Sequence, residues 1–276
     1  MEKIKDAIEK SKGQRGAQSS TRKKVAGSNV SNNFDKKNDE LDSLTYSKTS
    51  VVTLDPLHLE ENRIVAINKN DPMSWVFDSL RTQVLQKMEE NNWRTLAIVS
   101  PTPESGKTVV SINLAISISQ QPQKTVILVD FDLRKPRVAS YLGLKTEKSI
   151  NDLLTGGAEL SDIMVNPGIS GLTILPTNKP VAKASETLSS KNIQNLITEL
   201  RERYDSRVVI IDLPPILTAD DALVLLPQVD CVLLVVSNGM NTESEMDETM
   251  RLLSKANLLG VVLNRVEDEP KAYYYD

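Results

Sequence analysis

The chain is poor in the residues that build disulfide frameworks, metal centres and membrane spans. Its 276 residues include one cysteine and one histidine. A lone cysteine excludes an intramolecular disulfide. The apolar run from Cys231 to Val236 predicts a buried packing thiol there, not a nucleophile. The histidine, in Asp55-Pro56-Leu57-His58, has no neighbour that suggests metal binding or catalysis. No apolar run is long enough to cross a bilayer, because charged residues interrupt every candidate. The start, Met1-Glu2-Lys3-Ile4-Lys5-Asp6, lacks the basic cap and apolar stretch of a secretory signal. Together these absences predict a cytoplasmic protein.

The formal net charge of −4 hides an asymmetry. Lys3, Lys5, Lys10, Lys12, Arg15, Arg22, Lys23 and Lys24 crowd the first thirty residues, against Glu2, Asp6 and Glu9. The remainder is acidic, so no general nucleic-acid binding is expected. Met1, Ile4, Ala7 and Ile8 fall at helical spacing and predict a short amphipathic helix to about Lys12. Such a helix suits docking on a partner or an anionic membrane surface, or it simply frays. A Ser/Asn/Lys/Gly-rich linker follows, so residues 1–50 are expected to form a helix plus a basic linker.

Residues 51–266 read as one α/β domain. Asp71-Pro72 opens a helix to about Glu90, on which Trp75, Leu80, Val84 and Met88 are expected to share a face. Strands are expected near 94–100, 125–131, 172–176, 207–212, 230–237 and 258–264. Helices are expected near 107–119, 191–203, 218–226 and 242–256. Continuous apolar strands alternating with helices predict a doubly wound, mostly parallel sheet of the P-loop type, with ligands at the carboxyl ends of its strands. Residues 267–276 read as a flexible tail carrying Tyr273, Tyr274 and Tyr275, half of the chain's six tyrosines.

Three motifs stand at strand ends. Ser100-Pro101-Thr102-Pro103-Glu104-Ser105-Gly106-Lys107-Thr108 lies between a strand and the apolar helix that begins at Val109. In such a loop backbone N–H groups face a phosphate, the lysine reaches the β- and γ-phosphates, and the hydroxyl ligates Mg²⁺. The full G-x-x-x-x-G-K-[ST] pattern is not met, because Pro101 holds the place of the first glycine. The second motif is Asp130-Phe131-Asp132-Leu133-Arg134. Paired carboxylates beside a triphosphate repel unless a metal or proton lies between them. One can ligate Mg²⁺ while the other orients or deprotonates a hydroxyl, with Arg134 offsetting charge on the transferring group. The third, Asp212-Leu213-Pro214-Pro215, puts a carboxylate where it can hold Mg²⁺ directly or through water.

This ordered set, with its tyrosine-rich end, resembles the bacterial tyrosine kinases of polysaccharide export, and most closely their soluble, exosortase-associated branch. The motifs match that family's Walker A, Walker A′ and Walker B. Supporting segments include Asn62-Arg63-Ile64-Val65, Leu80-Arg81-Thr82-Gln83, Asp220-Asp221-Ala222 and Leu259-Gly260-Val261-Val262-Leu263-Asn264-Arg265. The resemblance implies an ATP- and Mg²⁺-dependent tyrosine autokinase. Residues 103–109 (Pro103 to Val109) and Asn264 would bind nucleotide. Lys107, Asp130, Asp132 and Arg134 would carry catalysis, and Thr108, Asp130 and Asp212 the metal. Autophosphorylation would fall on Tyr273, Tyr274 and Tyr275, between subunits of a homo-oligomer. The resemblance also implies a membrane activator of the chain-length-determinant type, as a separate chain that recruits the kinase to the inner face of the membrane.

The chain departs from the family in three places. The family loop reads Pro-Gly-Glu-Gly-Lys, where this one has Pro103-Glu104-Ser105-Gly106-Lys107. A spaced Glu and Arg in the family's oligomerisation helix are replaced by Trp75 and Asp78 ahead of Arg81. The tail holds three tyrosines, few for such a cluster. Two other readings share the fold. A partition- or division-type ATPase switch needs a lysine five residues before Lys107, where Thr102 stands. A non-catalytic nucleotide-binding regulator of an export complex would neither hydrolyse ATP nor make phosphotyrosine.

Overall fold

Successive side chains of a strand point to opposite faces, so a strand that is apolar throughout must be covered on both. That rule shapes this molecule. The computed structural model describes residues 50–203 and 206–266, within one compact unit of the chain. The expected N-terminal helix and Tyr273–Tyr275 lie outside the described residues.

The first elements are β1 (Ser50–Val51), α1 (Pro56–Glu61), α2 (Ser74–Glu90), β2 (Thr95–Val99), α3 (Lys107–Ser119) and β3 (Thr125–Asp130). Next come α4 (Val138–Tyr141), α5 (Ile150–Leu154), α6 (Leu160–Ile163), β4 (Val165–Asn166), β5 (Leu172–Leu175) and α7 (Ala184–Leu188). The last are α8 (Lys191–Glu202), β6 (Arg207–Asp212), α9 (Asp221–Leu225), β7 (Cys231–Ser237), α10 (Glu243–Leu252) and β8 (Leu258–Asn264). One eight-stranded sheet runs β1-β4-β5-β3-β6-β2-β7-β8, parallel except for the β4–β5 pair.

Alternation divides its core in two. Leu96, Ile98, Val126, Leu128, Val208 and Ile210 face one layer, with Val84 and Met88 of α2 and most of α3. Ala97, Val99, Ile127, Val129, Val209 and Ile211 face the other, with Ile193, Leu196, Ile197 and Leu200 of α8. In α3 every residue except Val109 is buried. This helix lies inside the protein, so its polar residues need partners there.

All six expected strands form. The two-residue strands β1 and β4 and the short helices α1 and α4 to α7 are additional, and elements of that length carry too little periodicity to be read. On α2, Val84 and Met88 are buried and Leu80 packs beside them, but Trp75 stands 48% exposed. Phe77 takes the expected place of Trp75. The reason is geometric: 77, 80, 84 and 88 follow a 3–4 spacing, whereas 75 lies five residues before 80.

Candidate active site

The sheet order brings the three motifs together. β2 lies between β6 and β7, while β3 lies on the far side of β6. In register Asp130 pairs with Asp212, and Ile98 with Asp212. The loop after β2, the segment after β3 and the end of β6 thus meet at one crevice, where ligands of open α/β sheets bind.

Gly106 precedes α3 in a left-handed backbone, with φ of 86°. A Cβ there would stand 2.2 Å from Asn264 Nδ2, so any other residue would strain the backbone and displace Asn264. Asn264, at the end of β8, donates from Nδ2 to the Ser105 carbonyl at 2.9 Å and braces the loop from the sheet edge. No side chain caps the N-terminus of α3, which leaves its first N–H groups to meet an anion.

Lys107 Nζ donates to Asp132 Oδ2 at 2.9 Å and lies 3.5 Å from Asp212 Oδ2. Thr108 Oγ1 donates to the same Asp212 oxygen at 2.7 Å, and Ser111 Oγ donates to Asp212 Oδ1 at 3.0 Å. Burial works against the charge on Lys107, but Asp212 and Asp132 outweigh it and hold its pKa above the ordinary lysine value. Burial raises the pKa of Asp212, with Lys107 and Thr108 pulling the other way. The structure therefore gathers Lys107, Thr108, Asp132 and Asp212 around one point.

Asp130 is placed differently. It is fully buried, and its Oδ2 accepts from the backbone N–H groups of Arg137 and Val138 at 3.0 and 2.9 Å. Burial, then the nearby Asp212, pushes its pKa well up. Asp132 lines the cavity, and Asp130 does not. Arg134 lines it too, in a two-pronged ion pair with Asp221 through Nε and Nη2. Ser185 also donates to Asp221, and these bonds hold its pKa low against the effect of burial.

The cavity has a volume of about 1210 Å³. It is lined by the loop after β2 and the Asp132–Arg137 segment, and by the apolar side chains of Trp75, Phe77 and Leu80 of α2 with Leu263 and Val266. Among the described residues no three His, Cys, Asp or Glu side chains are grouped to hold a metal ion. Thr108 and Asp212 could hold one only together with a ligand that brings further oxygens. Also among the described residues, no helix is long and apolar enough to cross a membrane. Cys231 is buried as expected, and burial pushes its thiol up to about 12.

Sequence reasoning missed Ser111, Asn113 and Asp221 as parts of this site. Serines and an asparagine inside the otherwise apolar run 109–118 were the available signal. Glu104, where the family loop has glycine, is left-handed with φ of 63°. That conformation costs an L-residue about 1–2 kcal/mol, whereas glycine adds roughly 0.4–1 kcal/mol of unfolded-chain entropy. Glu104→Gly is therefore expected to be neutral to slightly stabilising. It also removes an exposed carboxylate from the cavity wall, so Mg-nucleotide should bind severalfold tighter at low salt. A lower melting temperature with unchanged affinity would show that Glu104 serves the loop structurally.

The family model described as an AAA domain matches residues 94–257. The chain is 30% identical over 226 residues to the putative tyrosine-protein kinase CapB of Staphylococcus aureus, covering 81% of this chain and 95% of that protein. It is 34% identical over 190 residues to the tyrosine-protein kinase Etk of Escherichia coli K12, covering 68% of this chain but 26% of that longer protein. The solved kinase domain of E. coli Etk superposes with a TM-score of 0.70 at 29% identity, covering 86% of this chain and 91% of that domain. The septum site-determining protein MinD of Pyrococcus horikoshii, solved with Mg-ADP, superposes at 0.53 with 25% identity, covering 64% and 74%.

Proposed function

The chain belongs to the bacterial tyrosine-protein kinases, and from that membership we propose that it transfers the γ-phosphoryl group of Mg-ATP to tyrosine hydroxyls, first those of its own Tyr273, Tyr274 and Tyr275. One observation carries the reading: Lys107, Thr108 and Asp132 line a cavity large enough for a nucleotide, and Asp212 lies directly behind them, bonded to Thr108.

The residues present fit the nucleotide. A side chain at Gly106 would displace Asn264, the first turn of α3 is uncapped, and Lys107 and Thr108 stand at its start. Bound Mg-ATP supplies the phosphoryl group and a metal ion that shields its charge. Lys107 would hold the β- and γ-phosphates, Thr108 and Asp212 the metal, and Asn264 the side of the site nearest the sheet edge. Asp132 reaches the cavity and can accept the tyrosine proton on a carboxylate oxygen. Asp130, with its Oδ2 bound to backbone N–H groups, suits a supporting role. Catalysis on this reading is positioning and charge neutralisation.

We place the reaction between subunits of a homo-oligomer, with a membrane protein of the chain-length-determinant type as activator, in the control of polysaccharide polymerisation and export. Asp78, one of the two replacements in the family's oligomerisation pattern, bonds to the retained Arg81 at 2.8 Å, and both reach Ser117 of the same chain. The partition-type reading finds less support. Its lysine position is Thr102, whose hydroxyl accepts from Asn241 Nδ2 at 2.8 Å.

Tail-peptide mass spectrometry tests the reading, on protein made together with its candidate activator. We expect phosphoryl groups on the 267–276 peptide of the wild type. In a variant with Tyr273, Tyr274 and Tyr275 all changed to Phe, total phosphotyrosine should fall at least tenfold with nucleotide binding intact. An unmodified wild-type tail with intact ATP hydrolysis would favour the ATPase switch.

A further inference from the structure

Among the described residues five non-glycine ones have left-handed backbones: Arg63, Asn92, Glu104, Gln123 and Arg265. Asn92 and Gln123 occupy turns that lead into β2 and β3. The other three are charged, and all three line the cavity. Glu104 belongs to the phosphate loop and Arg265 follows β8. Arg63 belongs to none of the three motifs; it lies in the arm between α1 and α2.

The left-handed backbone of Arg63 closes α1, its N–H donating to the Glu60 carbonyl at 2.9 Å and that of Ile64 to the Leu59 carbonyl at 2.8 Å, and the arm that follows must be fixed by further contacts. Asn113 of α3 supplies them. This side chain is fully buried, and its amide uses all four of its hydrogen-bonding positions. Oδ1 accepts from the N–H groups of Val65 and Ala66 at 2.8 and 2.9 Å. Nδ2 donates to the carbonyls of Arg63 and Val109 at 3.0 and 2.9 Å. Gln120 Nε2 adds a bond to the Ala66 carbonyl at 3.1 Å, and Ile64 and Ala66 are buried beneath the arm. The arm is thus bolted to the helix whose first residues are Lys107 and Thr108.

What this fastening presents is a guanidinium. Arg63 is exposed on the cavity wall and makes no ion pair among the described residues. The neighbouring cations Lys107 and Arg134 are already paired, with Asp132 and Asp221. Lys135, Arg137 and Arg265 also line the cavity without an ion pair among the described residues, and Arg265 shares the left-handed backbone. Of these cations Arg63 alone sits on the arm that three bonds from Asn113 fasten to α3. We propose that Arg63 is an anion-binding residue of this site, its guanidinium directed at the phosphates of the nucleotide, and that Asn113 is the residue that positions it. This rests on the nucleotide reading of the cavity.

The test uses the full chain, a fluorescent ADP analogue with Mg²⁺, and inorganic pyrophosphate as a competitor that has phosphates alone. Arg63→Gly keeps the left-handed backbone at lower cost and deletes the guanidinium. It should melt no lower than wild type yet bind the ADP analogue about tenfold more weakly, with a shallower salt dependence. Pyrophosphate should weaken by a similar factor. Arg63→Lys should recover part of the loss, and Lys135→Ala should change affinity less than about threefold. If Asn113→Ala folds cooperatively, its affinity should fall toward that of Arg63→Gly; if it does not fold, the Arg63 series decides alone.

Unchanged binding in both Arg63 variants would overturn the proposal. So would a loss confined to the ADP analogue, which would place Arg63 on the base or ribose. A wild type that binds nucleotide but makes no phosphotyrosine would remove the kinase reading and leave this one standing. A wild type that binds no nucleotide would remove both.

Discussion

Lys107→Met is expected to abolish the autophosphorylation proposed above, with a fall of ~10³-fold or more, because it removes the cation that phosphoryl oxygens would meet. Its effect on stability should be as informative. Lys107 stands among Asp132, Asp212 and Asp130, which hold its pKa above the ordinary value despite burial. A group raised in this way contributes stability in full below its unfolded pKa and loses it only as pH climbs through the folded value. At neutral pH the contribution is whole. Methionine fills a similar volume but leaves the carboxyls without a counter-charge, at a cost of about 3–5 kcal/mol. Asp212 and Asp130, whose pKa values burial already raises, then take up protons more readily in the folded state. A carboxyl with a raised folded pKa contributes fully below its unfolded pKa and loses that contribution as pH rises through the folded one. The deficit should therefore shrink on acidification. Urea unfolding at about pH 8 and about pH 5.5 measures it. An equal deficit at both pH values would mean that Lys107 does not compensate these acids.

The sequence disclosed the strands because each is apolar on both faces, and the motifs because each stands at a strand end. Both are local properties. The partners were not local. Asp132 meets Lys107 across twenty-five residues and Asp212 meets Thr108 across 104, contacts that depend on β6 lying between β2 and β3. The difference between Asp130 and Asp132 was equally hidden. Two residues apart on an extended segment they share a face, but β3 ends at Asp130, and the chain then turns so that Arg137 and Val138 close on that carboxylate. Asn113 reads as an isolated polar residue of an apolar helix until α3 is found to be buried nearly all round. Glu104 is the reverse case: the replaced glycine was visible in the sequence, and the left-handed backbone there is its physical consequence.

Asp212 offers the sharpest separation of chemistry from folding. It is fully buried, and its two oxygens accept from Thr108, Ser111 and Lys107. Asp212→Ala leaves those donors facing a void and should cost about 2–4 kcal/mol. Asp212→Asn keeps the shape and one acceptor oxygen. It also removes a negative charge beside Asp130, whose pKa burial and then Asp212 have driven up, so relief there offsets much of the weaker bonding to Lys107. The asparagine variant should fold to within about 1 kcal/mol of wild type at neutral pH. Its kinase activity should nevertheless drop ~10²–10³-fold, because an amide is a poor ligand for Mg²⁺ and cannot balance its charge. Raising Mg²⁺ should recover part of the rate in Asp212→Asn but none in Lys107→Met. Chemical denaturation beside a Mg²⁺ titration of phosphotyrosine formation reads both quantities on one preparation. A stable Asp212→Asn that phosphorylates at the wild-type rate would remove Asp212 from the metal site and leave it a packing acid. An unstable and inactive one would show that the carboxylate's bonds to α3 outweigh the repulsion from Asp130.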